Sequence, residues 1–114
     1  MDVIEACHQH NLPTMPGAYT PTEIQMAWEM DVAAVKVFPA GGLGAKYIKD
    51  VLAPLPHLRL MPTGGVKVSN IAEFLQMGAF AVGVGGALCD KQVIARKDWG
   101  TVANTARQFC EAIS

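Results

Sequence analysis

Ala34-Val35-Lys36-Val37-Phe38-Pro39-Ala40 sets one lysine inside an apolar run. The run reads as a short buried strand interrupted by a cation. Side chains alternate across a strand, so Val35 and Val37 share one face, and Ala34, Lys36 and Phe38 share the other. Burial disfavours the charged form of an amine. A neutral amine can attack a carbonyl carbon and form a Schiff base. The plainer alternative is a lysine at a strand end that snorkels to water. Taken alone, the strand leaves both readings open.

Working outward from this strand, the chain alternates helix and strand signals. On the N-terminal side, Thr20-Pro21-Thr22-Glu23 predicts a helix start. Thr20 is the N-cap, Pro21 suits the first helical position, and Glu23 completes a capping box. Ile24, Ala27 and Trp28 supply an apolar stripe to about Met30, and Asp31 breaks it. Before that helix, residues 12–15 predict a short strand closed by Pro16-Gly17. Residues 2–10 predict a helix capped by Asp2, with Val3, Ile4 and Cys7 as its stripe and Asn11 as its stop. His8 and His10 diverge by about 200° around such a helix, which suits a solvated face and not a shared metal.

On the C-terminal side, Gly41, Gly42 and Gly44 make a flexible loop. Tyr47, Ile48, Val51 and Leu52 mark a helix that ends at Pro54 and Pro56. Residues 58–61 predict a strand running into Pro62-Thr63-Gly64-Gly65. Ser69 then caps a helix with Ile71, Phe74 and Leu75 inward and Gly78 at its C′ position. Residues 79–84 predict a fourth strand, ending in Gly85-Gly86. A short turn at 92–95 leads to a last helix over about 98–113, with Val102, Ala106, Phe109 and Ile113 on its apolar side.

Strands alternating with helices predict a parallel sheet, because parallel neighbours need a crossover between them. The C-terminal ends of such strands open onto one face, where ligands bind. That face collects Pro16-Gly17, the segment from Lys36 to Pro39, Thr63-Gly64-Gly65 and Gly85-Gly86. Adjacent glycine loops can turn backbone N–H groups toward a phosphate, helped by a following helix N-terminus. Each Gly-Gly by itself is also an ordinary tight turn.

Composition narrows the field. The chain has 114 residues, a formal net charge of −1 and 51% hydrophobic residues. It is one domain at most, too apolar for a disordered segment. The near-neutral charge offers no basic field for nucleic acid. Cys7, Cys89 and Cys110 lack metal-like spacing, and free thiols suit a reducing compartment. No run approaches ~18 consecutive apolar residues, so no membrane span is expected. The first residues lack the order of a signal peptide. Together these favour the cytoplasm.

The four motifs occur in one order: residues 16–24 (PGAYTPTEI), 35–40 (VKVFPA), 62–66 (PTGGV) and 84–86 (VGG). In this they resemble the KDPG/KHG aldolase family, class I aldolases of 2-keto-3-deoxy-6-phosphogluconate and related 2-keto acids. The resemblance runs from about Asp2 to the C-terminus. It implies an α/β fold, the C-terminal half of a (β/α)8 TIM barrel, with residues 1–114 forming one half-barrel domain of four parallel βα units. A whole barrel takes about 200 residues or more.

The resemblance further implies a lyase that cleaves a phosphorylated 2-keto-3-deoxy sugar acid to pyruvate and an aldehyde. Lys36 would form the Schiff base. Phe38, Pro39 and Thr63 would bind the keto acid. Gly64, Gly65, Gly85 and Gly86 would bind its phosphate. Ala87 stands where many relatives carry a serine. No cofactor or metal is expected, since the iminium itself is the electron sink. The family's general-base glutamate and a substrate arginine lie in the half of the barrel that this sequence does not match. Glu5, Glu23, Glu29 and Glu73 fall on predicted helices facing away from the mouth. Losing a general base typically costs about 10²- to 10⁴-fold in rate. Two readings follow: an enzyme, as an aldolase fragment or one completed by another chain, and an inactive half-barrel serving as a phosphate-binding or assembly module. The expected partners are a small 2-keto acid and either further copies or a complementary first-half chain.

Overall fold

The computed structural model describes residues 2–114 and joins three parallel strands in the order β1-β2-β3. Helix α1 (Val3–Gln9) precedes β1 (Gly17–Ala18), and α2 (Pro21–Trp28) leads to β2 (Val35–Val37). Helix α3 (Ala45–Leu52) leads to β3 (Leu60–Pro62), followed by α4 (Ile71–Gln76), α5 (Lys91–Ala95) and α6 (Trp99–Ala112). No described helix is long and apolar enough to cross a membrane.

The helix starts follow the local chemistry read from the sequence. Asp2 accepts a hydrogen bond from the Glu5 amide at 3.0 Å. Thr20 and Glu23 form the reciprocal capping box, with Pro21 in the first turn. The stops follow too: Asn11, Asp31 and Gly78 all adopt positive φ. Helix α4 departs from expectation. It begins at Ile71, and its N-cap is Asn70 rather than Ser69. Asn70 instead uses its amide to clip the preceding turn, accepting from the Lys67 amide and donating to the Gly65 carbonyl.

The first strand also shifts. Expected over 12–15, it pairs with β2 through Gly17 and Ala18. Pro16 does not end it. A proline has no N–H to give, but its carbonyl still accepts from the Lys36 amide at 2.8 Å. At a sheet edge the missing donor faces outward and costs no ladder bond.

The fourth strand is reduced to a single bridge, Thr63 to Gly83, and to two flanking bonds, from the Phe80 amide to the Leu60 carbonyl and from the Gly83 amide to the Pro62 carbonyl. A Cβ at Gly83 would collide with the Thr63 side chain, so the approach depends on a glycine.

Val35, Val37 and Leu60 are fully buried and join Ile24, Ile48, Val51, Ile71, Phe74 and Phe109 in one core. Strand residues of one parity thus face the helices. On the last helix, Phe109 is buried as expected, whereas Ile113 is half-exposed.

Candidate functional site

The other face of β2 becomes more exposed toward its carboxyl end. Ala34 is 1% exposed, Lys36 is partly buried, and Phe38 is 52% exposed. Lys36 thus lies between the two settings its strand left open, neither fully enclosed nor fully in solvent. Buried Val35 and Val37 fix its direction, since both must face the helices. In register, Lys36 lies between Gly17 of β1 and Met61 of β3. Gly17 adds no side chain beside it. The Lys36 ammonium sits 4.9 Å from the centre of the Phe38 ring, a cation–π distance.

Beyond β2 the chain is tied to the Thr63 turn. The Ala40 amide donates to the Thr63 carbonyl at 2.9 Å, and the Thr63 amide donates to the Val37 carbonyl at 2.9 Å. Gly41 and Gly65 meet backbone to backbone; a Cβ at Gly65 would lie 2.6 Å from the Gly41 Cα. Gly64 and Gly65 both have positive φ, which glycine adopts without strain. Gly64 also leaves room for Phe38, whose ring would lie 3.0 Å from a Cβ there.

These elements enclose a cavity of about 470 Å³ at the strand ends. Phe38, Thr63, Gly64, Gly65, Gly85 and Gly86 line it, so two loops far apart in sequence come together there. Lys36 and Pro39 are not among the lining residues. Lys36 adjoins the cavity through Phe38, and the Pro39 Cα would lie 3.5 Å from a Cβ at Gly64. The Thr63 hydroxyl donates back to the Met61 carbonyl at 3.2 Å.

Helix α4 starts at Ile71, and none of its residues lines the cavity. Val66 and exposed Lys67, to which the sequence assigned no role, also line the cavity. The available signal was their position directly after Gly64-Gly65. Val66 is buried and anchors the turn.

No carboxylate lines the cavity among the described residues. Glu23 is held in its capping box, where hydrogen bonds from the Thr20 amide and hydroxyl lower its pKa. Glu29 accepts from Gln25 at 3.0 Å. Burial pushes the Tyr47 phenol up, aided by the neighbouring Tyr19 and Glu23, and its hydroxyl donates to the Tyr19 carbonyl. That bond ties the loop after β1 to α3, away from the cavity.

A parallel α/β scaffold with a lysine strand and paired glycine turns at one strand-end mouth is a ligand-binding architecture. Comparison with known proteins makes the class specific. The family model of KDPG and KHG aldolase matches residues 1–105, and the chain belongs to that family. It is 33% identical over 112 residues to a 2-dehydro-3-deoxy-phosphogluconate aldolase of Haemophilus influenzae, covering 97% of this chain and 53% of that relative. A native KDPGal structure superposes with a TM-score of 0.82 at 28% identity, over 97% of this chain and 54% of that one. A cube-shaped cage designed by fusing symmetric oligomeric domains gives the same TM-score at 31% identity, over 96% of this chain and 40% of that one. The chain thus spans about half the length of the curated relatives it matches.

Proposed function

We propose that this chain carries the imine-forming part of a class I aldolase site, acting on a phosphorylated 2-keto-3-deoxy sugar acid. The observation that carries this reading is the convergence of Phe38, Thr63 and the two glycine turns on one cavity beside Lys36. The Lys36 amine would add to the C2 carbonyl, and the carbinolamine would lose water to give an iminium. The C3–C4 bond would then break. Its electron pair would pass into the iminium as an enamine, while a base takes the proton of the C4 hydroxyl and the aldehyde departs. Protonation at C3 and addition of water would return pyruvate and the free lysine. Phe38 and Thr63 would hold the keto acid. The amides of Gly64, Gly65, Gly85 and Gly86 would hold the phosphate, with Pro39 setting the Phe38 loop from behind.

We read the four βα units as one half of an eight-unit barrel. The length ratio to the relatives and the open second face of the sheet support this. The remaining units would come from further chain, from a complementary chain or from a second copy. In a pair of copies, the free edge of β1 would meet the partner's 79–84 segment. A complementary half would also supply the carboxylate base that the cavity lacks.

That lack favours a second reading, in which the chain binds the phosphate or forms the imine without completing cleavage. Exposed free thiols at Cys89 and Cys110 support residence in a reducing compartment.

The test is trapping with pyruvate and borohydride, followed by intact mass. One covalent adduct is expected, and Lys36→Met should abolish it. Equal trapping in that variant would remove Lys36 from the role. Release of aldehyde product separates the aldolase from the imine-only reading.

A further inference from the structure

Among the described residues, the cavity has one charged lining residue, Lys67. Every other lining group is apolar, a glycine or the Thr63 hydroxyl. Ala87, directly after the second glycine turn, adds no hydroxyl. An anion seated on the glycine amides would therefore meet a single side-chain cation and no competing carboxylate from the lining.

The fold fixes the backbone of Lys67 tightly. Its amide donates to the Asn70 side-chain oxygen at 2.7 Å, and its carbonyl accepts from the amides of Asn70 and Ile71 at 3.1 and 2.9 Å. The Asn70 side chain also donates to the Gly65 carbonyl at 2.9 Å. One asparagine thus clips Gly65 to Lys67 across Val66, which is 3% exposed and rooted in the core. Lys67 itself is exposed. Its backbone is held in place while its exposed side chain borders the cavity. A lysine in that state acts as a mobile point charge rather than a rigid fork.

We propose that Lys67 is a specificity-determining residue, pairing its ammonium with the phosphate of a phosphorylated 2-keto acid. Neutral-tailed 2-keto acids would lack this contact and bind less well. The proposal rests on the anion-site reading of the glycine turns, and it explains how a cavity with Ala87 would still discriminate charge.

The test uses inorganic phosphate as the probe, titrated into the full chain and followed by amide NMR shifts at low and moderate salt. Wild type should saturate, with the shifts centred on Gly64, Gly65, Gly85 and Gly86. Lys67→Gln should weaken binding about tenfold, the lower range for a hydrogen bond to a charged group, and flatten the salt dependence. Lys67→Arg should restore most of the affinity. Pyruvate trapping by borohydride should be unchanged in Lys67→Gln, because pyruvate has no phosphate. Equal phosphate affinity and salt dependence in Lys67→Gln would overturn the role of Lys67 and leave the anion site standing. Absence of saturable binding in wild type would overturn both. Loss of pyruvate trapping in Lys67→Gln would place the lysine at the imine centre and overturn the specificity role.

Discussion

Gly65 combines two constraints that are easily confused. Its φ of +75° is left-handed, and a Cβ on it would lie 2.6 Å from the Gly41 Cα. A left-handed non-glycine residue costs on the order of 1–3 kcal/mol even before the collision is counted. Gly65→Val would thus distort the turn whether or not a phosphate binds there. Gly41 offers a cleaner probe, because its φ lies outside the left-handed region and only space is at issue. A Cβ at Gly41 would meet the Gly65 Cα at 3.0 Å and the Gly64 carbonyl oxygen at 3.2 Å. Gly41→Ala is expected to fold, keep pyruvate trapping and bind phosphate several-fold more weakly. Phosphate titration beside borohydride trapping checks this, and an unchanged phosphate affinity would show that the turn yields without consequence. The sequence displayed both glycines as loop formers. Their contact was hidden, because 24 positions separate them and only the pairing of β2 with β3 brings them together.

Among the elements, α2 and α6 share one device at their starts. Glu23 bonds the Thr20 amide and hydroxyl, and Asp98 bonds the Thr101 hydroxyl and amide; both acids are held below their ordinary values of 4.5 and 3.8. A carboxylate with a depressed pKa contributes stability above its unfolded value and loses it as pH falls through the folded value. Both caps should therefore be intact above about pH 5 and fail progressively below the ordinary carboxylate range. Amide exchange of the first turns of α2 and α6, measured between pH 6 and pH 3, should show protection lost on acidification. In Glu23→Gln the acid-dependent part of the change should vanish from α2 and persist in α6. Arg96 adds a small coulombic lowering at exposed Asp98, which salt should damp. The box at Thr20 was legible in sequence, because capping is settled within four residues. The start of α4 was not, because Asn70 is recruited by Gly65, five positions earlier.

At the scale of the whole molecule, the surface is too large for the chain length. The accessible area is 7068 Å², against about 6,100 Å² for a compact monomer of this mass. The radius of gyration is 15.4 Å, against about 13 Å for a compact domain of this length. Exposed Leu12, Met15, Phe38 and Phe80 account for part of the excess. An open parallel edge beside such residues invites pairing. The 114-residue chain is therefore expected to self-associate at micromolar concentration, and sedimentation velocity would show it. A well-folded monomer at that concentration would mean that the described strands and helices bury enough apolar surface alone.

The sequence by itself determined what depends on near neighbours: the caps of α1 and α2, the helix stops, the parity of β2 that turns Lys36 from the core, and the alternation that makes the sheet parallel. It also carried the ordered motifs that mark the family. The tertiary structure alone decided what depends on register. Pairing with β2 placed β1 at Gly17 and Ala18, past a proline that local rules treat as a stop. The contact with Thr63 reduced the fourth strand to a bridge at Gly83. Packing of two distant glycine turns made a cavity and put Lys67 on its wall. Hydrogen bonds within one turn of chain are set by the residues in that turn. Contacts across a sheet are set by which strands lie side by side, and that choice is made by the whole core at once.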